Sequence, residues 1–145
     1  MAYATSEQLI RQFGSEEMTL LSDRQGTGVL DETVLLDAIR RAESEVDSYL
    51  ADRYSVPLVH TAEKPVPQVV TSITGDIARY RLTGGDIRDS DPVRTRYVDA
   101  LNWLRGVCDG TISLPGLPAL TPGSEAMSNG VFMQAGARPW DGVTP

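Results

Sequence analysis

Apolar residues recur along this chain at steps of three and four, the spacing of a helical face, over three long stretches. In the first, Leu35, Ile39, Ala42, Val46, Tyr49 and Leu50 make the stripe, Glu32, Asp37, Arg40, Glu43 and Asp47 fill the other faces, and Asp31 stands at the N-cap. That helix is predicted to run to about Tyr54. In the second, Pro65 and Pro67 offer a proline start, Val66, Val69, Val70, Ile73, Ile77 and Tyr80 the stripe, and Gly84-Gly85 the stop. The β-branched run from Val69 to Thr74 also suits a strand, but the helical spacing continues through Leu82, beyond usual strand length. In the third, Asp91 caps, Pro92 takes the first helical position, and Val93, Tyr97, Ala100, Leu101, Leu104 and Cys108 line one side as far as Gly110.

Two shorter helices precede these. Thr5 and Gln8 have the spacing of a capping box ahead of Leu9, Ile10 and Phe13, with Gly14 as the stop. The next begins at Ser15, with Glu16 and Glu17 near the positive end of the helix dipole and Met18 and Leu21 facing inward. The predicted fold class is all-α: a small bundle of three long helices, roughly 17 to 24 residues each, plus short N-terminal helices and an extended C-terminal arm.

The pattern stops near residue 114. From 111 to 145, five glycines and five prolines interrupt any continuous helix. We divide the chain into a helical domain, 1–114, and a Gly/Pro-rich arm, 115–145. Met127, Val131, Phe132, Met133 and Trp140 are apolar residues that a solvated tail has little reason to carry. An arm packed on a neighbouring chain uses them, and so does a tail folded back over its own subunit.

Composition narrows the class. With 145 residues, 41% of them apolar and 23% charged, the chain forms one domain with a buried core. It has no apolar run near the ~20 residues a membrane helix needs and no signal-peptide pattern at its start, so it reads as soluble and unexported. Cys108 is alone, which excludes an intrachain disulfide. The formal charge is -7, and the surplus acid sits in residues 1–54, which hold eleven acids and five bases. Such a chain is repelled by a phosphate backbone at long range. The bases are nearly all arginine, interleaved with acids, as for ion pairing.

Little of the chemistry points to turnover. Asp23-Arg24-Gln25-Gly26-Thr27-Gly28 imitates the start of a calcium loop, but Val34 falls where the bidentate Glu is needed. A glycine-permitted turn is the better reading, with Asp23 bonding local amides and delivering Asp31 to its cap. His60 is the only histidine, which leaves zinc without a second imidazole. Cys108 falls on an apolar stripe and is expected to be a buried structural thiol. Glu43 and Asp47 are expected on a solvated helical face. No nucleophile elbow or phosphate loop is present, so we expect no enzyme, no metal and no cofactor.

The polar residues that stand out are Arg53-Tyr54, closing the first long helix, and Asp76, Arg79 and Tyr80 on the second. Either Arg79 or Arg53 is positioned to pair with Asp76 where the helices cross, over tyrosine bodies. Alternatively, Arg79, Arg81, Arg88, Arg94 and Arg96 form a phosphate-contacting face, as in a small helical nucleic-acid-binding regulator; Asp76, Asp86, Asp89, Asp91 and Asp99 counter it. With Phe132, Met133 and Trp140 of the arm, Arg53, Tyr54, Asp76, Arg79 and Tyr80 are the expected structural or interface residues.

The order and spacing of Tyr3-Ala4-Thr5, Phe13-Gly14, Asp23-Arg24-x-Gly26-Thr27-Gly28, Tyr49-Leu50-x-x-Arg53-Tyr54-x-x-Pro57-Leu58, Asp76-Ile77-Ala78-Arg79-Tyr80-Arg81-Leu82 and Arg96-Tyr97-x-x-Ala100-Leu101-x-Trp103-Leu104 resemble a family. It is the head-tail connector, or neck adaptor, proteins of Mu-like phages and prophages. The likeness spans residues 2–114, with a weaker echo from Val131 to Trp140. The resemblance implies a virion protein of the neck, made in the host bacterial cytoplasm and without catalysis. It implies a homo-oligomeric ring of about twelve copies between the portal protein and a tail-side neck or tail terminator protein, with double-stranded DNA passing non-specifically through the lumen and no membrane partner. An acidic lumen suits that passage, because a basic wall binds the polymer tightly through counterion release. The acidic first third of the chain is expected to supply it.

Overall fold

Thr5 opens the first helix by accepting the Gln8 amide at 3.1 Å, while the Gln8 side chain accepts the Thr5 amide at 2.8 Å, the reciprocal pair of a capping box. In the computed structural model, which describes residues 2–84 and 91–120, this helix is α1, Ser6–Phe13, and α2 is Ser15–Ser22. Gly14 makes the corner between them at φ 95°, backbone that side chains other than glycine's rarely adopt. The long helices are α3 (Glu32–Leu50), α4 (Gln68–Leu82) and α5 (Pro92–Cys108). The described residues contain no strand, and none of their helices is long and apolar enough to cross a membrane.

The loop into α3 is the turn expected from its glycines. The Asp23 carboxylate accepts the Thr27 amide at 2.8 Å and the Gly28 amide at 2.5 Å. Those donors hold its pKa below the usual carboxylate value. Gly26 and Gly28 have φ of 71° and 75°. Asp31 then caps α3, accepting from the amides of Thr33 and Val34. Asp91 caps α5 in the same way, with Pro92 at its first position.

Two boundaries differ from expectation. α3 stops at Leu50, short of Tyr54, because Arg53 and Tyr54 both turn back to the Leu50 carbonyl and the Tyr54 ring enters the core. Of the two prolines offered as the start of α4, Pro67 takes the N-cap and the helix begins at Gln68, so Val66 falls outside it.

α3, α4 and α5 pack on one another, α3 against α4 most extensively, while α1 and α2 lean on α3 and α1 also on α4. Leu9, Met18, Leu35, Val46, Leu50, Val70, Ile77, Leu104 and Val107 are fully buried at the centre. Each contributes about 1.5–3 kcal/mol of apolar transfer.

The inward face of α4 is rotated from the expected stripe. It consists of Val70, Thr71, Thr74, Gly75, Ile77, Ala78 and Leu82, with Val69, Ile73 and Tyr80 half-buried at the margin. Threonine is tolerated there because its hydroxyl finds a carbonyl: Thr74 donates to Val70 O and Thr71 to Tyr3 O, each at 2.8 Å. On α5 the inner position expected for Cys108 is taken by Val107, and Cys108 lies half-buried beside Asp52.

After α5 the chain doubles back. Gly110 turns at φ 84°, the Ile112 amide bonds to Gly106 O at 2.9 Å, Leu114 is buried and Leu117 packs against the core. The Leu120 amide reaches Arg53 O at 2.7 Å. Phe132, Met133 and Trp140, with Met127 and Val131, lie outside the described residues, as do Asp86, Arg88 and Asp89.

Candidate assembly surface

The expected pair of Asp76 with Arg79 or Arg53 at the helix crossing is not formed: Arg79 and Asp76 find other partners, and Arg53 lies elsewhere. Arg79 extends from α4 to α2, where its Nε and Nη2 meet the Glu17 carboxylate at 2.7 and 2.6 Å, and its guanidinium lies 4.6 Å from the Phe13 ring centroid. Only 15% of the Arg79 side chain is exposed, so this pair is shielded from bulk screening. Asp76 instead accepts from Gln12 Nε2 of α1 at 3.3 Å. Burial raises its pKa, against the opposing pull of Arg96 and Arg79.

Arg53 and Tyr54 sit together elsewhere, at the C-terminal end of α3. The Tyr54 hydroxyl accepts the Leu114 amide at 2.8 Å, and Arg53 lies against Gly110 while its carbonyl holds Leu120. These two residues receive the chain that follows α5. The expected site residues therefore fall into two groups: Asp76, Arg79 and Tyr80 fasten neighbouring helices to α4, and Arg53 and Tyr54 dock the segment after α5.

Tyr80 stacks on Tyr97 of α5, ring centroids 3.9 Å apart and planes 6° from parallel. Beside them Glu45 of α3 uses both oxygens. Oε1 accepts the Tyr97 hydroxyl at 2.8 Å and Oε2 accepts Arg81 Nη2 at 2.7 Å. The Tyr97 pKa is raised to about 12, first by burial and then by this bond.

Glu43 and Asp47 are also not merely solvated. The Glu43 carboxylate accepts the Tyr3 amide at 2.5 Å, and Asp47 accepts the Tyr3 hydroxyl, which in turn accepts the Leu58 amide at 2.8 Å. Burial raises the Glu43 pKa despite the amides it accepts. The ties made by Tyr3, Glu17 and Glu45 have no counterpart among the sequence expectations.

The remaining reactive groups are placed as follows. The Cys108 thiol donates to Asp52 Oδ2 at 3.1 Å, and that bond raises its pKa, which disfavours the thiolate a nucleophile needs. His60 Nε2 is buried without a hydrogen-bond partner among the described residues. Those residues hold no cluster of three or more His, Cys, Asp or Glu arranged for a metal.

The chain matches the family described as Bacteriophage Mu, Gp36 over residues 3–133. It is 31% identical, over 140 residues, to the Mu-like prophage FluMu protein gp36 of Haemophilus influenzae, covering 95% of this chain and 92% of that one. Against Gene product J of Escherichia phage Mu it is 26% identical over 125 residues, covering 86% and 83%. With a match of that length behind the helical order and the residues that tie it together, this chain belongs to the Gp36 family of Mu-like phages.

Proposed function

We propose that this phage protein is a structural virion subunit, a head-tail connector that forms a ring between the portal and the tail, with DNA passing through the lumen. It is not an enzyme on this reading. The observation that carries it is the state of the arginines on α4: Arg79 is closed by Glu17 and Arg81 by Glu45, in a chain of formal charge -7. Two of the arginines that a nucleic-acid regulator would use are thereby engaged in internal ties. The net charge of -7 then favours a polyanion sliding past rather than binding. Ring subunits, about twelve in number, close through heterologous contacts, and the partners are the portal protein on one side and a tail-side neck or tail terminator protein on the other. The site of action is the virion neck, after synthesis in the host bacterial cytoplasm. Phe132, Met133 and Trp140 serve as arm anchors on this reading.

Mass measurement of the particle formed with portal protein tests it. A discrete ring-sized increment supports the connector, and failure to co-assemble overturns it. A salt titration of duplex binding tests the regulator: affinity that falls steeply with salt favours the regulator, and near-absence of binding at physiological ionic strength favours the connector.

A further inference from the structure

Four arginines line one cleft between the loop after α2, the N-terminal half of α3 and the end of α4: Arg24, Arg40, Arg41 and Arg81. All four are exposed. Arg41 is paired with Asp37 at 3.0 Å and Arg81 with Glu45 at 2.7 Å. Arg24 and Arg40 make no ion pair with a described residue. The cleft also has apolar walls, with Val34 half-buried and Leu36 38% exposed. Its volume of about 610 Å³ is far more than one small anion fills. Arginine over an apolar floor is the composition of a protein-protein contact.

A surface of the opposite character lies on the same chain. Leu20, on the outer side of α2, is 79% exposed. Glu16 stands four residues before it, one turn away on the same face, and borders one shallow depression with it; Asp23, past the helix end, borders it too, its carboxylate bonded to the Thr27 and Gly28 amides. Val29, next in the loop, is 67% exposed. An exposed leucine beside a carboxylate matches a cleft with an apolar floor framed by arginines.

We propose that the Arg24–Arg40 cleft of one copy receives the Glu16–Leu20 face of a second copy of this chain. Leu20 seats on Val34 and Leu36, and the Glu16 carboxylate meets Arg40. The pairing needs only a second copy and stands whether or not the assembly is a ring on a portal.

The test is charge exchange in the full-length protein, read as association by sedimentation at low salt. Wild type is expected to associate, and Arg40→Glu or Glu16→Arg alone to weaken association about tenfold or more. Arg40→Glu combined with Glu16→Arg is expected to recover most of the loss. All of these positions are exposed, and unchanged helical circular dichroism checks that the fold is kept. A wild type that stays monomeric up to about 1 mM, a range in which even weak specific contacts form, overturns the pairing. So does association that withstands both single exchanges, which leaves the cleft to another occupant, or a combined variant no better than either alone. None of these results bears on co-assembly with portal protein, so the pairing and the connector reading fail separately.

Discussion

The hydroxyl of Tyr3 donates to the Asp47 carboxylate, joining the start of the chain to the last turns of α3 across 44 positions. The same oxygen accepts the Leu58 amide at 2.8 Å in a buried setting, so one phenol closes the corner where the N-terminal strand of backbone, α3 and the loop before α4 converge.

Tyr3→Phe keeps the ring and removes the oxygen, leaving a buried amide without an acceptor and Asp47 without its donor. The expected loss is about 1–3 kcal/mol. In urea the unfolding midpoint should fall with an unchanged slope. An unaltered midpoint would mean the phenol is only packing.

Asp76 carries the reverse sign from most carboxylates. Burial lifts its folded pKa above the ordinary 3.8, so the folded state holds the proton more tightly than the unfolded chain. The charged form is therefore a liability above the raised value, relieved as pH falls through it, and the gain is complete near the ordinary value. Asp76→Asn retains an oxygen for Gln12 and should be more stable than wild type at pH 7, the advantage shrinking on acidification. Lower stability of the variant at pH 7 would show that Arg96 and Arg79 outweigh burial.

Tyr97 sets an alkaline limit. Its folded pKa of about 12 exceeds the ordinary 10.0, so its contribution is fully present below the ordinary value and is lost as pH rises through the folded one. Tyr97→Phe should cost stability at pH 8 by an amount that diminishes between about pH 10 and 12. Parallel pH profiles for the two proteins would sever Tyr97 from the alkaline limit.

Gly110 turns at φ 84° with its Cα side against the Arg53 guanidinium, where an added Cβ would stand 2.3 Å from Nη1. Gly110→Ala should cost about 1–2 kcal/mol from the left-handed backbone alone. Arg53, being flexible, yields to the methyl. Thermal melts of Gly110→Ala and of Gly110→Ala with Arg53→Ala should then agree closely once the cost of Arg53→Ala alone is subtracted; a large difference would locate the strain in the side chain.

Local chemistry made much of this fold legible. Thr5 with Gln8, Asp31, and Asp91 with Pro92 act on their own next few amides, so spacing alone identifies them. Partners far apart in the chain leave no such trace. Nothing near Arg79 points to Glu17, 62 residues away, and Asp76 looked like its natural mate only because it is one turn distant. Hydropathy misread α4 for a different reason: Thr71 and Thr74 count as polar, yet their hydroxyls are satisfied by carbonyls and enter the core. At Cys108 the error was one residue of rotation, with Val107 taking the inner place.

Glu45 has no oxygen left over: one belongs to Tyr97 and the other to Arg81. Because α4 and α5 are gripped through the same side chain of α3, neither can roll about its own axis without tugging the other, and the Tyr80–Tyr97 stack closes the triangle. The three helices are thus coupled at one point, and a displacement of any one of them strains its ties to the other two.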